Sequence, residues 1–278
     1  MLSQVGEGAK ILAGGQSLIP LMKLRLAAPS DLIDISFIAG GSYIRQEDRL
    51  LRLGALTSHA EIERSPLVTR IGIVHDCAAG IADAQVRNRG TIGGSLAEAD
   101  PSGDWATALL PLSAEVRSLS PAGERSIALP DFIRDAYTTA LGNDEVVAEI
   151  RVRVPDPGSG GAYLCLKRAA SVYATASAAV ELKLEGNVCQ EAAIILGCVG
   201  LMPIRVDHAE AALRGREIDE RALEAAGEAA RVAANPEPDM RGSAEYKRTV
   251  AGALVKRALQ VALRRARGET VETSHIYA

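Results

Sequence analysis

The sequence predicts an α+β protein built from two domains. In its N-terminal part, short apolar strands are mixed with short helical patterns, and Val146 to Val154 alternates apolar and polar residues as a half-buried strand does. Two prolines and three glycines within residues 155–161 then mark a domain boundary. Beyond this boundary strand patterns come first and helical patterns follow. That order favours a C-terminal domain of antiparallel sheet plus helices.

We place the first domain at residues 1–156, with lobes at about 1–35 and 36–156, and the second at 162–278. In the first domain, helical spacing runs from Ile19 to Leu26, and a capping box at Ser58 and Glu61 opens a helical region that ends near Gly80. The second domain has these predicted strands and helices: strands Ala162–Arg168, Ala176–Leu184 and Ala192–Val199, and helices Ala209–Leu213, Ala222–Ala234 and Ser243–Arg267.

Composition argues against several classes of function. The chain has 278 residues, a net charge of −4 and only 3% aromatic residues, which gives no reason to expect nucleic-acid binding. Without a signal peptide or an apolar run of membrane-spanning length, we expect a cytoplasmic protein with no membrane insertion. The cysteines are widely spaced, with no C-x-x-C, so we expect four free thiols and no metal centre: Cys77, Cys165, Cys189 and Cys198.

Two turns that each pair Gly-Gly with a hydroxyl side chain are the main functional signal. In the first, an apolar run ends in Gly14-Gly15 and is followed by Gln16-Ser17; the second reads Thr91-Ile92-Gly93-Gly94-Ser95. Glycine lets backbone N–H groups approach a ligand, and clustered N–H groups bind phosphate. Either sequence alone is typical of an ordinary turn, and neither fits the P-loop or the G-x-G-x-x-G pattern. Together they could clamp a pyrophosphate from both sides.

The chain has no evident catalytic set of its own. It contains no G-x-S-x-G elbow, and its histidines pair with no obvious nucleophile; we interpret His59 and His75 as core or surface residues. Asp100 and Asp104 fit helix N-caps and ligand-binding carboxylates equally well. This inventory favours a bound cofactor that carries the reaction while the protein supplies placement and electrostatics.

Three segments carry a specific resemblance. AGGQSLIPLMKLRLAAPSDLIDI (Ala13–Ile35), VRNRGTIGGSLAEADPSGDW (Val86–Trp105) and SAEYKR (Ser243–Arg248) resemble the FAD-binding medium subunits of molybdenum hydroxylases, the family of carbon monoxide dehydrogenase and the xanthine dehydrogenases. The resemblance covers nearly the whole chain in the same motif order. It implies FAD as the cofactor and a two-lobed FAD-binding domain of the PCMH type.

The resemblance also implies roles for individual residues. The family's two pyrophosphate-binding segments match two sets: Lys10, Ile11, Leu12, Ala13, Gly14, Gly15, Gln16, Ser17 and Leu18, and then Thr91, Gly93, Gly94 and Ser95. Asp104 matches an acidic residue that holds ribityl or ribose hydroxyls, and we place Asp100 with it. Ile150 matches a position whose backbone contacts the flavin edge.

Two further positions match residues close to the isoalloxazine. Lys167 matches a lysine near its pyrimidine end, and Tyr173 an aromatic residue beside it in the carbon monoxide dehydrogenase branch; a snorkelling lysine and a packed tyrosine are the alternatives. The chain departs from the family at Glu98, where relatives commonly have His, and at Ser171-Val172, where they have Gly-Asp. These departures leave open which acceptor the flavin serves.

The resemblance therefore implies an electron-exit subunit. Its partners would be a large subunit with the molybdenum cofactor and a small [2Fe-2S] subunit in a hetero-oligomer, with electrons leaving FAD for an external acceptor. Relatives usually have another strand and helix before the first turn, so the start of this chain is either truncated or shortened. The alternatives are a stand-alone FAD reductase of the UDP-N-acetylenolpyruvylglucosamine reductase type and a flavin-free binding or assembly subunit.

Overall fold

The first lobe is a small parallel β–α–β unit. The structure is a computed structural model that describes residues 8–273 and 276–277. Strands β1 (Ala9–Leu12) and β2 (Asp31–Asp34) pair in parallel, and helix α1 (Leu18–Lys23) connects them with Pro20 in its first turn. The helix ends before the predicted Leu26, because Arg25 takes a left-handed backbone conformation with φ of 58°.

The second lobe is built on an antiparallel sheet in the order β3–β4–β9–β5–β6. Its strands are β3 (Ile44–Glu47), β4 (Leu50–Gly54), β5 (Glu115–Ser120), β6 (Gly123–Ala128) and β9 (Val146–Arg153). The alternating strand predicted from Val146 to Val154 is confirmed as β9, which lies in the middle of the sheet, and β5 and β6 form a hairpin. A short hairpin of β7 (Ile133–Asp135) and β8 (Thr138–Thr139) precedes β9.

Helices cover one side of this sheet. The predicted capping box is present, with Ser58 accepting from the N–H of Glu61 and the Glu61 side chain accepting from that of Ser58. The single helical region predicted after it is wrong: Pro66 forces Ser65 into an extended conformation, and two helices result. The helices of this lobe are α2 (His59–Arg64), α3 (Gly72–Gly80), α4 (Ala84–Arg87), α5 (Ile92–Glu98), α6 (Asp104–Leu109) and α7 (Leu129–Phe132).

The C-terminal domain is a sheet in the order β13–β12–β11–β10–β14, antiparallel except for the β10–β14 pair. Its elements are β10 (Ser159–Lys167), β11 (Ala176–Glu185), β12 (Val188–Gly197), β13 (Ile204–Arg205), α8 (Asp207–Leu213), α9 (Glu220–Ala233), α10 (Ala244–Ala266) and β14 (Ile276–Tyr277). No helix among the described residues combines the length and apolar character needed to cross a bilayer.

Both faces of this sheet are buried. Along β10, Ala162 and Leu164 pack against the helices of their own domain, whereas Tyr163 and Cys165 belong to the core of the first domain. The strand begins at Ser159, inside the predicted linker. Gly160 permits this, since a Cβ there would lie 2.2 Å from the carbonyl oxygen of Ala262 in α10. The domains therefore share a core.

A buried ion pair also joins the two domains. Arg265 near the end of α10 binds both oxygens of Asp76 in α3, at 2.6 and 3.0 Å, and donates to the Gly161 carbonyl at 2.7 Å. Asp76 accepts further bonds from the Tyr163 N–H and the Thr273 hydroxyl. The basic sequence that ends α10 thus has a role in domain docking beyond the helix ending that its position predicts.

Candidate functional site

A cleft of about 800 Å³ lies where the first lobe, the second lobe and the C-terminal domain meet. Its volume falls within the usual range for cofactor sites. Most of the residues predicted for cofactor binding line it: Lys10, Ile11, Leu12, Ala13, Gly14, Gly15, Gln16, Ser17, Leu18, Thr91, Gly93, Gly94, Ser95, Asp100, Asp104, Lys167 and Tyr173. The fold brings together residues that are up to 163 positions apart in the sequence, from Lys10 to Tyr173.

Ile150 is the exception. It lies in the middle of β9, pairs with Leu53 on one side and Val116 on the other, and has no exposed surface. The cleft is bordered instead by Val146 and Val147, at the start of the same strand. The structure therefore does not support the flavin contact predicted for Ile150, because both neighbouring strands cover its backbone.

The first Gly-Gly turn presents unpaired backbone donors. Among residues 8–273, no acceptor faces the N–H groups of Gly14, Gly15, Gln16 and Ser17. Gly15 has a φ of 73°, a conformation that side chains rarely adopt, and this bend turns the chain from β1 into α1. The Ser17 hydroxyl makes no capping bond to the helix. Four consecutive N–H groups and a hydroxyl at one concave turn suit an anion.

The second turn differs in its hydrogen bonding. Its last four N–H groups donate within the protein: Ile92 to Thr57 O (3.1 Å), Gly93 to Ala55 O (2.9 Å), Gly94 to Thr91 Oγ1 (3.2 Å) and Ser95 to Thr91 O (3.0 Å). The expectation of clustered free amides is therefore wrong for this turn. What remains for a ligand is the Thr91 N–H, which has no acceptor among the described residues, the Thr91 hydroxyl proton, since Oγ1 already serves as an acceptor, and the Ser95 hydroxyl.

The first turn packs closely against Arg89 and Gly90, the residues just before the second turn, because Gly14 has no side chain. A Cβ on Gly14 would lie 2.1 Å from the Arg89 carbonyl oxygen and 2.8 Å from the Gly90 Cα. A Cβ on Gly94 would meet the Thr91 hydroxyl at 2.8 Å and the Ala13 Cβ at 3.7 Å, and would narrow the space between the turns. Glycine at these positions keeps that space open for a ligand.

Asp104 forms the polar floor of the cleft. It is nearly buried and accepts a hydrogen bond of 2.5 Å from the Tyr163 hydroxyl. Gly103 is the N-cap of α6, while Asp100 accepts from the Ser102 N–H in a local turn, so neither aspartate caps this helix. One Asp104 oxygen is bound by Tyr163, which leaves the carboxylate with further acceptor capacity for ligand hydroxyls.

Lys167 is buried beside Asp104 and donates to the Gly80 carbonyl at 2.6 Å. Burial has the largest single effect on its pKa and lowers it, but the charge of Asp104 and the neighbouring Cys165, Cys198 and Cys77 together outweigh burial, so the pKa of Lys167 is raised. Lys167 therefore carries its positive charge inside the cleft. The alternative of a lysine that snorkels to solvent is wrong, because the ammonium group is held below the surface.

Three of the four thiols converge near Asp104. Burial raises the pKa of Cys165 to about 12, and burial and then the Asp104 charge raise the pKa of Cys77 and of Cys198. Their wide sequence spacing had given no reason to expect this. Because their pKa values are raised, these three thiols are protonated at neutral pH.

Polar residues surround the mouth of the cleft. Tyr173 and Tyr137 both lie near Asp100, and burial followed by the charge of Asp100 raises the pKa of each phenol. Tyr173 is 48% exposed, which is inconsistent with a packed core tyrosine. Glu98 lies in the same region, where burial and Asp100 raise its pKa while Lys10 opposes them. The acidic departure at Glu98 thus places a carboxyl group at the cleft wall.

The structure adds His59 to this site, although we interpreted this residue from the sequence as a core or surface histidine. It is 4% exposed, lines the cleft, and accepts a hydrogen bond from the Trp105 indole on Nδ1 at 3.1 Å. The backbone N–H of His59 donates to the Gly90 carbonyl at 3.0 Å. The capping box that starts α2 was the one sequence signal that fixed its position.

Comparisons with known proteins agree with this architecture. The family model for the FAD binding domain in molybdopterin dehydrogenase matches residues 1–157, and the model for the CO dehydrogenase flavoprotein C-terminal domain matches residues 161–262. The chain belongs to the FAD-binding medium subunits of the molybdenum hydroxylase family. It is therefore an FAD-binding oxidoreductase subunit, a result that favours the flavoprotein over the flavin-free alternative.

Individual relatives are similar over almost their full length. The carbon monoxide dehydrogenase medium chain of Afipia carboxidovorans is 40% identical over 268 residues, 96% of this chain and 93% of the relative. Subunit alpha of the 6-hydroxypseudooxynicotine dehydrogenase complex of Paenarthrobacter nicotinovorans is 37% identical over 277 residues, 99% and 94% of the two chains. The solved structure of carbon monoxide dehydrogenase from Hydrogenophaga pseudoflava lacking the Mo-pyranopterin moiety matches with a TM-score of 0.92 and 41% identity, over 95% of this chain and 92% of that one.

Proposed function

We propose that FAD binds in the cleft with its pyrophosphate on the first Gly-Gly turn. The observation that carries this proposal is the row of four unpaired N–H groups from Gly14 to Ser17 at the wall of a cavity of cofactor size. Partial positive charges on such groups stabilise a phosphate dianion without a Lys side chain. FAD supplies the redox chemistry when bound, and the protein supplies position and charge.

The remaining side chains fit the other parts of the same cofactor. The hydroxyls of Thr91 and Ser95 would donate to phosphate oxygens from the opposite wall, and Asp104 would accept from ribityl or ribose hydroxyls. Lys167 would place a fixed positive charge at the pyrimidine end, where it favours a negatively charged reduced ring. Tyr173, near Asp100 at the mouth, would lie beside the isoalloxazine.

We further propose that this subunit passes electrons from iron–sulfur clusters on a small partner to an external acceptor, with substrate oxidised on a molybdenum-bearing large partner. The support is the family membership together with the absence of any three-residue metal-ligating cluster within residues 8–273. The division into domains 1–156 and 162–278 and the cytoplasmic location remain part of this proposal.

Exposed apolar side chains at the end of the first lobe and the start of the second support a docking role. Leu24, Leu26, Phe37 and Ile38 are each more than half exposed, between α1 and β3. Concentrated apolar surface on one segment of a protein is typical of an interaction site. A subunit that receives electrons from a partner needs such a surface near its cofactor.

The experiment isolates the chain from its native host by an affinity tag and analyses the eluate for flavin, molybdenum and iron. We expect all three, with flavin at 450 nm bleached by the substrate of the complex. The separately produced chain should be bleached by dithionite but not by carbon monoxide, aldehydes or purines. Rapid bleaching of the lone chain by any of these substrates, or a native eluate with flavin and no metals, would contradict the electron-transfer role.

A further inference from the structure

His59 has a ring nitrogen for which the described residues provide no acceptor. Trp105 is fully buried in α6, and its indole N–H, which can only donate, points at Nδ1 of His59. Nδ1 must therefore be the unprotonated nitrogen. The proton of the neutral ring is then on Nε2, and between residues 8 and 273 that N–H has no hydrogen-bond partner.

The ring is held neutral. Burial lowers the pKa of His59 to about 4, and the positive charge of Arg87 acts in the same direction. A neutral imidazole has one N–H to donate, and Trp105 determines which nitrogen carries it. His59 as a whole is only 4% exposed, but it lines the cleft and its Nε2 is not sealed from it, so a ligand oxygen in the cleft can accept from this N–H in place of water.

His59 lies close to residues proposed to bind two parts of the cofactor, the phosphates and the ribityl or ribose hydroxyls. The backbone N–H of His59 is bonded to Gly90, next to Thr91, and its ring is bonded to Trp105, next to Asp104. Nε2 lies 2.7 Å from where a Gly90 Cβ would be, so only glycine at position 90 leaves this nitrogen uncovered. His59 is therefore bonded to the residues next to those proposed for the phosphates and for the ribityl or ribose hydroxyls, and it lines the same cleft as both.

We infer that His59 is a cofactor-binding residue whose Nε2–H donates to an oxygen acceptor in the linker that joins the two halves of FAD, with Trp105 as the positioning residue that fixes the tautomer. This inference rests on the proposed location of FAD in the cleft. The two residues act as a pair, because the bond from the Trp105 indole to Nδ1 leaves the ring proton on Nε2, where it can be donated to the ligand.

Amide substitutions separate the two nitrogens of the ring. His59→Asn keeps an oxygen near the Nδ1 position as an acceptor for Trp105 but removes the distal donor, so FAD affinity of the full chain should fall about 10-fold with the fold retained. His59→Gln places an amide N–H near the Nε2 position and should recover most of that loss. FAD dissociation constants are measured by flavin fluorescence, and melting temperatures without FAD serve as the folding control.

Nitrogen-15 NMR of histidine-labelled protein gives a readout that needs no activity. Flavin-free protein should show the Nε2–H tautomer at His59, a mixture of tautomers in Trp105→Phe, and a downfield shift of the Nε2 proton on FAD binding. A wild-type affinity in His59→Asn, or an Nε2 proton unchanged by saturating FAD, would overturn the inference. Gly94→Ala separates the proposed FAD site from the proposed role of His59. If Gly94→Ala weakens FAD binding while His59→Asn does not, FAD binds in the cleft and only the assignment of His59 is wrong.

Discussion

The two Gly-Gly turns have similar sequences and different hydrogen bonding. At the first turn, the N–H groups of Gly14 to Ser17 have no acceptor among the described residues, whereas those of Ile92 to Ser95 are all satisfied within the protein. The acceptors at the second turn are partly local, since Thr91 accepts from Gly94 and Ser95, and partly distant, since Ala55 and Thr57 after β4 accept from Gly93 and Ile92; among the described residues the first turn has neither kind. A glycine pair therefore indicates that another group can come close to the backbone, but it does not indicate whether that group belongs to a ligand or to the protein itself.

The largest expected effect is on stability and comes from Gly93→Val, which tests the structural role of the second turn apart from ligand binding. Gly93→Val places a Cβ 2.5 Å from that of Ala55 and 2.7 Å from its carbonyl oxygen. Overpacking against β4 should reduce the free energy of unfolding by about 3 kcal/mol even without FAD. Thermal or urea unfolding of the flavin-free chain measures this, and a Gly93→Val protein as stable as wild type would show that the turn is not held against β4.

Asp104→Ala tests the floor between the turns. It removes the acceptor of the buried Tyr163 hydroxyl, so we expect a stability loss of about 2 kcal/mol in addition to weaker FAD binding. Tyr163→Phe is the matched control, because it removes the same bond and leaves the carboxylate. If Asp104 binds the cofactor, only Asp104→Ala should weaken FAD binding; equal affinities in the two variants would limit Asp104 to a structural role.

Gly94→Ala tests the space between the turns. Its Cβ would meet only the movable Thr91 hydroxyl and the Ala13 methyl group, and the backbone at residue 94 does not require glycine. Stability should change little, while FAD affinity should fall about 10-fold, or about 1.4 kcal/mol, through the narrowed gap and displaced hydroxyl. Affinity and melting temperature of the same preparation check this; an unchanged affinity would place the cofactor elsewhere.

The smallest effect concerns Glu98. Because its pKa is raised in the folded protein above the ordinary 4.5, ionised Glu98 destabilises the fold at neutral pH, and this penalty disappears as the pH falls below 4.5, where the group is protonated in both states. Glu98→Gln should therefore raise the melting temperature of the flavin-free chain at pH 7 and leave it unchanged near pH 4. A stabilisation that persists undiminished at pH 4 would rule out ionisation of Glu98 as its cause.

The sequence was informative wherever a local pattern determines the structure. The capping box at Ser58, the alternating strand β9, the turn at Gly14-Gly15 and the long helix α10 are confirmed, since each depends on residues close together in the chain. The helix break before α3 was readable from Pro66 and was missed.

The remaining features depend on tertiary contacts. Burial of Ile150 on both sides follows from its central place in the sheet, and the convergence of three thiols on Asp104 follows from domain docking through Arg265. The open Nε2 of His59 requires Trp105 to approach from another helix. No sequence spacing encodes these relations, because each joins elements that are brought together only by the completed fold.

Amide hydrogen exchange of the full chain, measured residue by residue with and without FAD, tests the comparison of the turns most directly. In flavin-free protein the amides of Ile92 to Ser95 should already be protected and those of Gly14 to Ser17 should exchange fast, because only the former have acceptors. Adding FAD should slow exchange at Gly14 to Ser17 by about 10-fold or more and change Ile92 to Ser95 less. Amides at Gly14 to Ser17 that exchange equally fast with saturating FAD would contradict the proposed pyrophosphate site.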